Sequence, residues 1–297
     1  MTRSQWPAAA LAALLLTAAT APAAPLPKDG PSGLAEVPAT APLVLHLRGV
    51  DGTRERFLAM LENALPDLAP RVTAFLKKLH EDGFDGGRKF RGLAKDGPIF
   101  LVFPEMPRFG PRTEPKVAFV AAVSKYAEFR DGLLKEDERK GLKKDEGVET
   151  TALENGKGVH FVERKGYAVV SNDRDTAAAF TKKRPGLDGK MSKELAQKFL
   201  AGDLGLYLSM DAFNKEYADQ IKKAREGIEE LIKNSAENAG GSEKNVVETV
   251  RKAVRPIFQA VEDSQGLLAT VEFRPGGLAL HAQTEIRTGS TTARALE

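Results

Sequence analysis

Two near-continuous apolar runs within residues 97–124 (GPIFLVFPEMPRFGPRTEPKVAFVAAVS) constrain the fold of this chain more than any other feature. Both runs, 99–103 and 117–123, are short, rich in Val, Ile and Phe, and bounded by Pro or Gly. That pattern reads as buried strands and not as helices. Strands covered on both faces belong in the middle of a sheet. Their connector carries Pro104, Pro107, Pro111 and Pro115, so the pair is expected to form a hairpin with a long loop.

The flanking sequence supplies the other layers. In residues 43–47, Leu43, Leu45 and Leu47 alternate with polar His46 and Arg48, as in a half-exposed strand whose histidine faces solvent. Asp51 or Thr53 can cap the helix that follows, with Phe57, Leu58, Leu61 and Leu65 on one stripe and Pro66 at its end. Val72, Phe75, Leu76 and Leu79 mark a second amphipathic helix. Beyond the hairpin, Ser124 is the expected N-cap of a helix bearing Tyr126, Phe129 and Leu133. Residues 135–146 read as a charged, solvated excursion. Strands at 148–153, 159–162 and 167–171, separated by Asn155-Gly156 and Lys165-Gly166, predict a meander. Asn172 or Asp173, and then Ser192, open two short helices.

The pattern then begins again. Leu204, Leu206, Leu208 and Met210 alternate with Gly205, Tyr207 and Ser209, and Asp211 is placed to cap. One helical stripe holds Phe213, Tyr217, Ile221, Ala224, Ile228 and Leu231. After a polar break at 234–245, another holds Val247, Val250, Val254 and Phe258, with Pro256 kinking that helix or marking its early boundary. A hairpin turning at Pro275-Gly276-Gly277 closes the chain. The expectation is an α+β fold, a mostly antiparallel sheet with helices packed on one face, in two pseudo-repeated halves. The boundaries are a signal peptide at 1–23, a flexible lead-in at 24–40, a first half with the meander at 41–200, a second half at 201–288 and a disordered tail at 289–297.

Arg3, the apolar residues 8–19 and Ala21-Pro22-Ala23 have the three parts of a secretory signal peptide. Export to the periplasm or the exterior is expected, with no transmembrane segment in the mature chain. The sequence has no cysteine, which excludes disulfides, lipid attachment at a cleavage-site thiol, thiol catalysis and Cys-ligated metal. Lys+Arg number 44 against Asp+Glu 41. The lysine pairs are scattered among acids, so nucleic acid is not an expected partner. Trp6, the sole tryptophan, lies in the leader, which leaves no indole platform for sugars.

Motifs for chemistry are absent. His46, His160 and His281 sit within expected strands, opposite the large apolar residues, and His80 ends a helix. None is at metal-ligand spacing, although His46 and His281 could meet if their strands pair across the repeat. GxSxG and SxxK do not occur, and Gly86, Gly87 and Gly92 do not follow a strand as a phosphate loop requires. No cofactor, metal or catalytic residue is assigned. The loop 104–115 holds Met106, Arg108, Phe109 and Arg112 among prolines, side chains suited to contact with a partner.

Residues 92–103 (GLAKDGPIFLVF), 117–134 (VAFVAAVSKYAEFRDGLL) and 166–173 (GYAVVSND) resemble exported bacterial domain-of-unknown-function families with repeated sheet-and-helix halves behind a signal peptide. The likeness covers about half of the mature chain and implies no catalytic residues. The resulting expectation is an exported, non-enzymatic binding or envelope-associated protein, its partner an unknown protein or an apolar ligand. The alternatives are a carrier holding an apolar ligand between sheet and helices, and a hydrolase whose site is assembled from distant residues.

Overall fold

A computed structural model describes residues 33–85, 87–107, 114–238 and 243–296. Its strands are β1 (Leu43–Leu47), β2 (Ile99–Phe103), β3 (Ala118–Ala122), β4 (Lys143–Asp145), β5 (Val148–Ala152), β6 (Gly158–Arg164), β7 (Tyr167–Ser171), β8 (Leu204–Ser209), β9 (Ser264–Arg274) and β10 (Gly277–Ile286). They form one sheet in the order β10-β9-β8-β1-β2-β3-β7-β6-β5-β4. The helices are α1 (Val50–Ala64), α2 (Ala69–Asp82), α3 (Tyr126–Gly132), α4 (Glu136–Lys140), α5 (Arg174–Ala179), α6 (Lys193–Ala201), α7 (Met210–Glu216), α8 (Ala218–Asn238), α9 (Glu243–Asp263) and α10 (Thr291–Leu296). The fold is α+β, and every pairing from β1 across to β4 is antiparallel. The chain divides into two units, Met1–Leu206 with Ala269–His281, and Tyr207–Leu268 with Ala282–Glu297.

In the first unit β2, β3 and β7 are the central strands, as their unbroken apolar runs imply. Tyr126 and Phe129 of α3 share a cluster with Ile99, Ala121, Phe161, Ala168 and Val170 on one face of the sheet. The other face is closed as well: Phe100, Val120 and Val169 are fully buried. Part of that cover is the segment expected to be a flexible lead-in. Residues 33–36 form a 3-10 turn, and Leu34 and Val37 are fully buried. A Cβ at Gly33 would lie 2.8 Å from the Phe100 ring, so only glycine lets the turn approach so closely. The backbone of this segment pairs with a later loop, Ala39 N–H donating to Pro185 O and Leu187 N–H to Val37 O.

Relative to the sequence reading, the alternation is inverted in β8 and only partly kept in β1. In β1, Val44 and His46 are buried while Leu43 and Leu45 are half-buried, and Leu47 alone of the three leucines is buried. In β8, Gly205, Tyr207 and Ser209 are buried and the three leucines half-buried. Gly205 lies on the side where the Phe199 ring packs, 2.7 Å from where a Cβ would stand. The smaller residue therefore marks the more tightly covered face.

Caps differ from the expectation too. Gly49 and Lys125, not Asp51 and Ser124, precede α1 and α3, and Ser209, not Asp211, precedes α7. The expected caps Asp173 and Ser192 do accept the N–H groups of Thr176 and Leu195. Residues 135–146 are not a plain excursion. They hold α4 and the edge strand β4, whose residues Lys143–Asp145 are all exposed.

Two buried charge nodes fix the first unit. Asp203 accepts from Arg56 Nε (2.6 Å) and Phe273 N (2.7 Å), and its carbonyl accepts from Arg48 N (3.1 Å). Arg88 donates to both carboxylate oxygens of Glu138 at 2.6 and 2.7 Å, and to Leu133 O at 2.6 Å. Glu138 also accepts the N–H groups of Lys135 and Glu154. Burial alone would raise the Glu138 pKa, but the guanidinium and these N–H groups hold it below the usual carboxylate range.

In the second unit α9 runs unbroken through Pro256, which is neither its boundary nor an early stop. Within the expected tail, Thr291–Leu296 form α10. Asp263 accepts from Thr292 N (2.9 Å) and Thr292 Oγ1 (2.7 Å), anchoring α10.

Arg88→Met should cost about 3–5 kcal/mol, since it strands a buried carboxylate. The neutral pair Arg88→Met with Glu138→Gln should recover part of that loss, because it removes the buried charge, while the single amide oxygen can accept only one of the two N–H groups, which reach different oxygens of Glu138. Urea unfolding midpoints of both variants test this.

Candidate functional site

Of the residues singled out in the proline-rich loop, Met106 is half-buried. Arg108, Phe109 and Arg112 lie outside the described residues. The loop's far end is anchored: Asn172 Nδ2 donates to Pro115 O and Val117 N–H to Asn172 Oδ1, both at 2.9 Å. Lys157 pairs with Glu114 at 2.6 Å.

Two of the three strand histidines are buried, against the expectation that they face solvent. His46 is 3% exposed. Its ring stacks on Phe100 at 5.2 Å and tilts against Phe199 at 5.1 Å, and among the described residues neither nitrogen has a hydrogen-bond partner. Burial pulls its pKa from 6.5 down to about 3; the nearby Phe199 backbone opposes this only in part, and Arg48 adds to it. His160 Nδ1 lies 2.8 Å from Thr150 Oγ1. Burial lowers its pKa, with Asp173 opposing and Arg174 adding. His281 is exposed, 3.7 Å from Glu272. His46 and His281 therefore share no ligand set, and among the described residues no group of three His, Asp or Glu could hold a metal.

The sheet does bring serine, histidine and aspartate types close, because His160 and Ser171 are cross-strand partners and Asp173 follows two residues on. Each is committed to structure. Ser171 Oγ donates to Val117 O (2.7 Å) and accepts from Asp173 N (3.1 Å), while Asp173 caps α5 through Thr176. A buried hydroxyl already donating to a backbone carbonyl is not poised as a nucleophile.

What stands out is the helix pair of the second unit. α8 and α9 are 21 residues each and pack on one another. Arg225 bridges them, pairing with Glu262 at 3.5 Å, and Asn214 of α7 donates to Val261 O at 2.9 Å. Along α8, Ile221, Arg225 and Ile232 are half-buried, and along α9 so are Val247, Val254, Phe258 and Val261. No described residue of α8 is buried, and in α9 only the terminal Asp263 is. Ile228 (36%), Leu231 (67%), Val250 (45%) and Ile257 (62%) are left in solvent. A hairpin with large aliphatics on an open stripe has the character of a contact surface, not of a finished core.

The sequence reading marks both stripes, with Phe258 in place of Ile257. The signal for Ile257 lies in the spacing 247, 250, 254, 257, 261. Periodicity gives the direction of a face but not whether anything covers it.

No family model matches this chain, and no curated protein does. Crystal form III of TP0453 is similar at 10% identity over 91% of this chain and 85% of its own, with a TM-score of 0.32. A superposition that loose carries no argument about function. Among the described residues no helix is long and apolar enough to cross a membrane.

His46 makes a pH prediction with a definite sign. Below about pH 6.5 the unfolded chain binds a proton that folded His46 refuses until about pH 3. Its contribution to stability is therefore full above pH 6.5 and falls by about 1.4 kcal/mol per pH unit as pH drops toward 3. His46→Leu should flatten the stability profile between about pH 6 and pH 4 by that slope, read from urea unfolding at several pH values. An unchanged slope would assign the acid sensitivity to other groups.

Proposed function

We propose that this is an exported, non-enzymatic binding protein of the cell envelope, which works through the open apolar face of the α8–α9 hairpin. The observation that carries the reading is the exposure of Ile228, Leu231, Val250 and Ile257 on two long amphipathic helices. Isolated exposed aliphatics are ordinary on protein surfaces, but a run of them along two packed helices is a mark of interaction sites. Export is supported by the leader-like residues 1–23, and kinship with exported sheet-and-helix families by the segments at 92–103, 117–134 and 166–173. In the first unit the buried polar side chains described above are mostly tied into structural nodes, which favours a scaffold over a reaction centre.

Replacing Ile228, Leu231, Val250 and Ile257 together with Gln should leave the melting temperature within a few degrees of the parent, since exposed substitutions change stability by about 0.5 kcal/mol or less each. The variant should lose most of the enhancement of a naphthalene-sulfonate dye. A collapse in thermal stability would mean that the face is core and not a contact surface.

A further inference from the structure

We infer that the partner of this face is a second copy of the same chain, the two hairpins closing into a four-helix bundle. This rests on the reading of α8–α9 as a contact surface and names its occupant. The first argument is register. In α8 the apolar positions Ile221, Ala224, Ile228 and Leu231 follow a strict alternation of three and four residues, and the small Ser235 takes the next place in it. In α9, Val247, Val250, Val254, Ile257 and Val261 keep the same alternation without a polar member. This is the a/d heptad pattern by which helices seat against other helices. Half-buried Ile232 and Phe258 widen each stripe beyond a/d alone. A stripe of that width suits helices with two helical neighbours, as in a bundle. The short helix α7 meets both and the short α10 meets α9, but among the described residues each has one long helical neighbour, the other member of the hairpin, and its a/d seam is partly open.

The second argument is charge. α8 carries five acids and four bases, and α9 four of each. Along α8 they are joined by the i,i+4 pairs Lys222–Glu226, Arg225–Glu229 and Lys233–Glu237. Helices that lie on a lipid surface carry a polar face rich in Lys and Arg, whereas balanced, intrahelically paired charge is the outer face of a bundle.

The third argument is size. Two helices of 21 residues present a face roughly 30 Å long and about 20 Å wide, on the order of 600 Å². That approaches the roughly 800 Å² per partner of standard specific interfaces. Small residues on the α8 stripe, Ala224 and Ser235, permit close helix approach.

The absence of cysteine from the sequence makes the test direct. Sedimentation of the full chain without its leader, from about 1 to 100 μM, should show a concentration-dependent doubling of mass. The four-Gln variant should dimerise at least tenfold more weakly. Single Leu231→Cys and Ile257→Cys variants, mildly oxidised, should yield disulfide-linked dimers where the exposed polar-face control Lys252→Cys yields few. A monomer at 100 μM with dye binding intact overturns self-association and leaves the contact-surface reading standing. Equal dimerisation by the folded four-Gln variant, or cross-linking no better than the control, overturns it too. So does saturable binding of the monomer to phosphatidylcholine vesicles, which would give the face to lipid. Loss of fold in the four-Gln variant would instead sink the underlying reading.

Discussion

One row of side chains carries the first unit. Cross-strand register places His46 opposite Phe100, Phe100 opposite Val120, Val120 opposite Val169, Val169 opposite Val162 and Val162 opposite Val148. Six strands thus contribute to a single buried line, and none of its members is more than 3% exposed. A slip of one residue at any pairing would exchange the two faces of that strand and break the line. Such a row specifies the sheet more tightly than hydrogen bonding alone, since slipped ladders would keep most of their backbone bonds.

The row also explains a polar group in an apolar place. His46 is its terminal member, between Phe100 and Phe199, in a site that a neutral ring can occupy by stacking. The position asks for a flat, medium-sized side chain, and it accepts histidine only in the uncharged form. The charged residues of this unit follow a different rule. Arg88, Glu138 and Asp203 are buried, but each meets several partners, and the groups they join come from elements distant in sequence. Paired in this way, a buried charge acts as a locating pin. Its removal is costly chiefly because of what it leaves unpaired.

Much of the architecture was legible in the sequence, and the misses have common physical roots. The central strands and the meander declared themselves through runs of β-branched and aromatic residues between Gly-containing turns, and β2, β5 and β7 fall almost where those runs lie. Strand direction was misread in β1 and β8. There a leucine alternation suggested an inner face, but the opposite side is the one shut by Phe199 and by the turn around Leu34. Alternation reports two faces and is silent on which has the heavier cover. The lead-in failed for the same reason: its Pro and Gly content suggested freedom, while two residues, Leu34 and Val37, bind it to the sheet. The candidate site was half legible. Its stripes were visible, but their exposure depends on what the rest of the chain leaves uncovered, and no local pattern encodes that.

The contrast between the two helix pairs bears on function more than either pair alone. α1 and α2 carry stripes much like those of α8 and α9, and they bury Met60, Leu61, Ala69 and Leu76. Residues beside them, Phe57, Leu58, Val72 and Phe273, complete a local cluster. The second pair has no equivalent among its described residues, although its helices are longer and its stripes more regular. Long amphipathic helices gain most of their stability from burying one face. A 21-residue helix with Pro256 in its interior, and no buried apolar side chain among its described residues, is therefore poorly supported by its own unit. An external surface that completes the seam would add to the burial the hairpin already has, stabilising the folded state as any ligand of that state does.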